Sequence, residues 1–209
     1  MSTPQATLDS TIYPAMGMIE LCSVAQGLIT QDALLKKAHV TVEWARIYNP
    51  GKYVIYLRGG VEEVAEAMQA ARYTAGEFLI DHVEIYSPHS ELQSALQFDQ
   101  DIPSYNGELQ GIGVLECYSL AATIRAADAG LKEAKIRSIA LRLAPTLGGK
   151  GCFMFAGPLE DLEAANIKMR AAAGIAFIYH STLIPRPHSE ITRTLITTYT
   201  DIGTNIYNT

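Results

Sequence analysis

Cysteine is scarce in this chain: Cys22, Cys117 and Cys152 are the only three among 209 residues. Three thiols do not pair into a framework. That excludes a disulfide-stapled secreted scaffold and fits a reducing cytosol. Charge is scarce as well, with 18% of residues charged and a net charge of −6. No basic patch or arginine cluster stands out, so nucleic acid is not an expected partner. No apolar run is long enough to span a bilayer, so no membrane is expected either. The stretch from Met1 to Tyr13 is polar, with Asp9 its one charge, and lacks the basic and apolar regions of a signal peptide. What the chain does have is apolar residues, 48% of the total. So sparse a charge over two small units suggests a surface that is largely buried against other chains.

It is also written twice. Gly17-Met18-Ile19-Glu20 recurs 96 residues on as Gly113-Val114-Leu115-Glu116, and Ser23, Ala25 and Asp32-Ala33 recur as Ser119, Ala121 and Asp128-Ala129. Leu35-Lys36 recurs as Leu131-Lys132. The offset grows to 98 at Lys52 and Lys150, and to 99 where Pro88-His89-Ser90-Glu91 meets Pro187-His188-Ser189-Glu190. A period this long, with small indels between elements, marks a duplicated domain rather than a solenoid unit. Two like domains on one chain imitate a symmetric dimer, which suits assembly better than a lone asymmetric active site.

Each half reads β-α-β-β-α-β plus a terminal helix, a ferredoxin-like arrangement in the α+β class. The first half gives strand 15–21, helix 24–38, strand 40–48 and strand 52–57. Helix 61–75, strand 78–86 and helix 90–96 follow. Within 40–48, Val40, Val42 and Trp44 are expected on one side. Glu62 and Glu63 complement the dipole of the helix from Val61, and Gly76 ends it. The second half gives strands 112–117, 136–144, 152–155 and 175–184, and helices 120–134, 159–173 and 189–196. The expected division is a tail over 1–14, a first domain over 15–97, a linker over 98–110, a second domain over 111–197 and a tail over 198–209.

Taken alone, most candidate residues read plainly. Tyr48-Asn49-Pro50-Gly51 and Pro145-Thr146-Leu147-Gly148-Gly149 read as hairpin turns. Lys36 reads as a solvated helix residue and Cys152 as a core strand residue. Glu20 and Glu116 form a pair that could suggest acid–base work. Their duplication argues instead for the fold or an interface, and no histidine or nucleophile sits at a supporting position. His89 and His188 each follow a proline and read as packing or helix-capping residues. Gly148-Gly149-Lys150 lacks the first glycine of a phosphate-binding loop.

Three features together resemble a known family. They are the Ala15-Met16-Gly17-Met18-Ile19-Glu20 strand, the Asp-Ala-x-x-Lys helix end and the Ile184-Pro185-Arg186-Pro187-His188 run. The chain resembles bacterial microcompartment shell proteins, and specifically the tandem-domain trimeric type in its unpermuted, propanediol-utilisation form. The resemblance implies two tandem shell domains per chain and a homotrimer shaped as a pseudohexamer. It implies a structural tile in the shell of a compartment in the bacterial cytoplasm. The tile would sit beside hexameric and pentameric shell proteins, around encapsulated enzymes, and would have no catalysis of its own.

On the same resemblance, six turns meet at the trimer axis and line a polar, uncharged pore for small metabolites. The lining would be Asn49, Pro50 and Gly51 with Thr146, Leu147, Gly148 and Gly149. Lys36, Lys132 and Arg186 match residues at the tile edge. The first copy reads Ser87-Pro88-His89 and so lacks the arginine. In relatives of this type a loop cysteine holds an iron–sulfur cluster. Asn49 stands at that position and supplies no thiolate, so no cofactor is expected, with Cys152 a weak candidate for a metal. Two alternatives stay open. One is a ferredoxin-like sensor or enzyme with ligand between its halves, and the other is an iron–sulfur electron carrier in the shell.

Overall fold

The computed structural model describes residues 13–98, 109–143, 147–191 and 193. The first repeat runs β1 (Ala15–Leu21), α1 (Val24–Lys37), β2 (Thr41–Tyr48), β3 (Lys52–Gly59), α2 (Val61–Ala75), β4 (Leu79–Tyr86) and α3 (Ser90–Phe98). The second runs β5 (Gly111–Cys117), α4 (Leu120–Glu133), β6 (Arg137–Leu143), β7 (Gly151–Ala156), α5 (Leu159–Ala173) and β8 (Ile178–Pro185). Each repeat has one antiparallel sheet, in the order β2-β3-β1-β4 and β6-β7-β5-β8. The expected linker lies mostly outside the described residues, as do both tails beyond Tyr13 and Arg193.

Local chemistry sets the element ends. Ser23 and Ser119 cap α1 and α4, each side chain accepting a backbone N–H three residues on. Gly76, at φ 53°, closes α2 and donates its N–H to the Arg72 carbonyl. Two strand starts differ from expectation. A single 3₁₀ turn, Gly76–Phe78 in one copy and Ile175–Phe177 in the other, precedes β4 and β8. Apolar Ile175 and Phe177 mimic strand residues in a sequence reading, but backbone bonds of the turn fold them.

Strand β2 also corrects the expected facing. Its register against β3 slips between Val42 and Trp44. This bulge puts one extra residue, Glu43, into the strand and reverses the side-chain alternation beyond it. Val40 and Val42 therefore pack with the helix-side core, while Trp44 packs with the core on the opposite face. There Trp44 lies 5.4 Å from Tyr56 and meets Tyr48 edge-on.

The two faces of the first sheet do different work. Ile19, Leu21, Ile55 and Leu57 pack onto Val64, Ala67 and Met68 of α2. The other face presents Met16, Met18, Val54, Tyr56, Val83 and Ile85. These join Leu92, Ala95 and Leu96 of α3 in one core that continues into α4 of the second repeat. Helix α4 is thus enclosed from both sides, since Leu115, Phe153 and Phe155 of its own sheet complete that core. Ten of its residues are buried, against Gly27, Thr30 and Leu34 alone in α1.

Candidate functional site

The joint between the repeats is built on a buried carboxylate. Glu20, at the end of β1, accepts from the Ala121 N–H at 2.7 Å and from the Ser119 hydroxyl at 2.9 Å. It also pairs with Lys52 at 3.2 Å. An anion at the first turn of α4 satisfies an otherwise orphan N–H and meets the positive end of the helix dipole. Burial pushes the Glu20 carboxyl above its usual value, with Lys52 and the Ala121 and Ser119 hydrogen bonds opposing that shift. Asp81 approaches the same hydroxyl at 2.5 Å and lies 3.5 Å from Arg125. Arg125 in turn donates to the Ala172 and Ala173 carbonyls at the end of α5 and to the His82 carbonyl of the first repeat.

Glu20 is therefore an interface residue, while Glu116 pairs with Lys150 at 3.3 Å. The sequence reading does not single out Ser119, Lys52, Asp81 or Arg125 as joint residues. The signal that could find the first two is their duplication as Ser23 and Lys150. Asp81 and Arg125 have no such signal, because His180 and Ile29 stand at their repeat positions.

The joint carries the β2–β3 and β6–β7 turns to one place. Lys52 donates to the Gly149 carbonyl at 2.7 Å and to the Tyr118 carbonyl at 2.9 Å. A Cβ at Gly149 would sit 2.8 Å from the Asn49 carbonyl oxygen, so only glycine permits this approach. Asn49, Pro50 and Gly51 are exposed in a turn closed by a Gly51 N–H to Tyr48 carbonyl bond of 2.8 Å. Gly148 is exposed and Gly149 buried. Leu147 packs partly against Ala140, Cys152 and Met154. Thr146 lies outside the described residues. The turns are not the same length. The matched register pairs Ile47–Tyr53 and Leu143–Gly151 enclose five residues in the first copy and seven in the second.

The edge candidates make contacts of their own. Lys36 is 74% exposed and pairs with Asp32 at 2.6 Å, one helical turn away. Lys132 pairs with Asp128 at 2.5 Å, and Asp128 also accepts the His89 N–H. Arg186 is exposed, at φ 48°, and its N–H donates to the Gln110 carbonyl. Ser87 occupies the same strained conformation in the first copy, at φ 52°, with its N–H on the Pro14 carbonyl. His89 and His188 each accept, through Nδ1, the N–H two residues on.

Among the described residues of the two turns there is no cysteine. Cys152 is buried, and burial pushes its thiol up to about 12, which keeps it protonated. Among the described residues, no group of three His, Cys, Asp or Glu side chains is placed to hold a metal ion. Among them, too, no helix is long and apolar enough to cross a membrane.

Known proteins resemble this chain in sequence and in fold. Residues 15–88 and 111–187 each match the family model of the BMC domain. The chain is 29% identical over 183 residues to the bacterial microcompartment shell protein PduT of Citrobacter freundii, covering 87% of this chain and 97% of that one. It is 25% identical to the carboxysome assembly protein CcmO of Synechococcus elongatus, over 85% of this chain and 67% of that one. A crystal structure of a microcompartment protein from Desulfitobacterium hafniense superposes with a TM-score of 0.70. It is 25% identical and covers 86% of this chain and 98% of that one. A fused permuted hexameric shell protein, MSM0275, shares the fold at a TM-score of 0.58 and 20% identity, over 77% and 84% of the two chains.

Proposed function

The chain belongs to the BMC-domain family, with two such domains in tandem, and on that basis we propose that it works as a pored wall tile. It is a structural shell protein of a bacterial microcompartment, of the tandem-domain type, resident in the shell within the cytoplasm. Three copies close into a pseudohexamer. The turns at Asn49–Gly51 and 146–149 line its central opening, and small polar metabolites pass through. Lys36, Lys132 and Arg186 lie where tiles meet, and hexameric and pentameric shell proteins complete the wall around enzymes. The tile itself catalyses nothing. The domains proposed for it span residues 15–97 and 111–197.

One observation carries this reading. The two copies meet head to tail: α4 of the second sits on the outer sheet face of the first, with Glu20 at the N-terminus of that helix. A contact between unlike surfaces leaves each copy's other surface open, and repetition of it makes rings or filaments rather than pairs. No comparison favours the ligand sensor or the electron carrier. The test is the solution mass of the purified chain, with the same sample viewed by electron microscopy. A mass of three chains and hexagonal tiles or sheets is expected. A monomer that never tiles would overturn the reading.

A further inference from the structure

We propose that Glu20, Ser119 and Asp81 hold one proton in common, and that this proton latches the first repeat to the second. The latch lies within a single chain and stands whatever assembly the chain enters.

The hydrogens around Ser119 do not add up without it. A serine hydroxyl has one proton and two lone pairs. The Ala122 N–H occupies one lone pair at 3.0 Å. Two carboxyl oxygens then approach the same Oγ, Glu20 Oε1 at 2.9 Å and Asp81 Oδ2 at 2.5 Å. Both lengths fall in the O–H···O range of about 2.5–3.0 Å, with a hydrogen between the oxygens. The hydroxyl supplies one of the two hydrogens. A carboxyl group supplies the other: Asp81 when the hydroxyl turns to Glu20, and Glu20 when it turns to Asp81. Such a proton belongs to the pair rather than to either residue. Glu20 and Ser119 are fully buried and Asp81 nearly so, where a second bare carboxylate is costly.

The cations nearby are largely spent on carbonyls. Lys52 on β3 lies 3.2 Å from Glu20 but closer to the carbonyls of Tyr118, at 2.9 Å, and Gly149, at 2.7 Å. Arg125 on α4 donates to the Ala172, His82 and Ala173 carbonyls. It stays 3.5 Å from Asp81, longer than an ordinary N–H···O bond. On β4 the other Asp81 oxygen accepts the His82 N–H at 2.8 Å, and burial lowers the His82 imidazole, which keeps it neutral at neutral pH. On β5 burial pushes the Cys117 thiol up to about 11, so it too is uncharged. Burial likewise holds the Glu20 carboxyl above its usual value. His180 stands at the Asp81 position in the second repeat, which therefore lacks this pair of carboxyls.

Unfolding exposes both carboxyls, and exposed carboxyls give up their protons well below neutrality. The latch therefore contributes its full stability in acid and loses it as pH rises through the titration of the folded pair. Once the proton has left to solvent, two carboxylates face one hydroxyl and the repeats are held less tightly.

Asp81→Asn tests the latch, because the amide brings its own hydrogen to the Ser119 oxygen and cannot lose it. Urea unfolding of the full chain and of this variant gives the ratio of their unfolding constants. Circular dichroism follows it from mildly acidic to mildly alkaline pH. The variant should gain on wild type as pH rises, by up to about tenfold per pH unit while the pair titrates. A ratio that does not move, or a variant that loses ground as pH rises, would overturn the proposal and leave Asp81 an ordinary carboxylate facing Arg125. If Asp81→Asn fails to fold, infrared spectra of wild type in heavy water decide. They are taken at mildly acidic pH, just above the range in which an exposed carboxyl keeps its proton. A protonated-carboxyl band that vanishes when the chain is unfolded by heat is expected. Its absence from the folded chain would overturn the proposal.

Discussion

The Ser119 hydroxyl donates to the carboxylate of Glu20 at 2.9 Å across ninety-nine residues of sequence. The same oxygen caps α4 by accepting the Ala122 N–H at 3.0 Å. One side chain therefore starts a helix in the second repeat and fastens that helix to the first. Glu20 is the more exacting partner, because removing it leaves Lys52 with its main counter-charge gone in a largely buried place. Breaking a buried pair from one side costs about 3–5 kcal/mol.

The first expectation concerns pH. Burial raises the Glu20 carboxyl above its usual 4.5. A carboxyl raised in the folded state adds stability that is complete below the unfolded value and is lost as pH climbs through the folded one. Glu20→Gln cannot titrate. The stability of wild type relative to Glu20→Gln should therefore fall as pH rises from 4.5 and then level off. Thermal melts of both proteins over that range measure it. A relative stability that climbs with pH would contradict the burial argument.

Tile edges should be separable from tile stability. The Lys36–Asp32 pair is exposed on both sides, and such pairs contribute roughly 0–1 kcal/mol. Lys132→Ala leaves Asp128 still bonded to the His89 N–H. The double variant Lys36→Ala, Lys132→Ala should melt close to wild type and keep its mass in solution. It should fail to form sheets under the microscope. Normal sheets would remove both lysines from the edge.

Asn49 gives the proposed pore its test. It is exposed in a turn with no side chain over Gly51, so a larger residue fits without disturbing the core. Asn49→Trp should leave the trimer intact and slow the passage of a small polar substrate into assembled shells. Uptake measured on enzyme-loaded shells would show it, and unchanged flux through intact shells would place the opening elsewhere.

Thiol chemistry should divide the cysteines. Cys22 is exposed, whereas Cys117 and Cys152 are buried, with thiols pushed up to about 11 and about 12. The thiolate is the reactive form. A disulfide reagent at neutral pH should modify one thiol per folded chain, identified by mass spectrometry as Cys22. Denaturant should expose all three. Rapid labelling of Cys152 in the folded protein would contradict its place in the core.

Much of this architecture was legible because duplication supplies its own control. Strands and helices recur at matched positions, and β1 and α2 begin and end where the residue pattern placed them. Local exceptions were less legible. The bulge at Glu43 depends on pairing with β3, and no periodicity within β2 reveals it. The 3₁₀ turns before β4 and β8 use the same apolar residues a strand would. The joint between repeats was the largest omission. A glutamate recurring at a strand end reads as structural, but its partner helix lies in the other copy. Asp81 and Arg125 do not recur at all.

The inequality of the two turns has an evolutionary consequence. A ring of identical single-domain subunits alters its opening at every position at once, so any change to shape is also a change to chemistry. In the proposed ring one substitution alters alternate positions and leaves those between untouched. The shorter turn, with Asn49-Pro50-Gly51, and the longer one, with Leu147-Gly148-Gly149, can drift under separate selection. One lineage of loops can hold the proposed aperture while the other acquires a new preference for what would go through it.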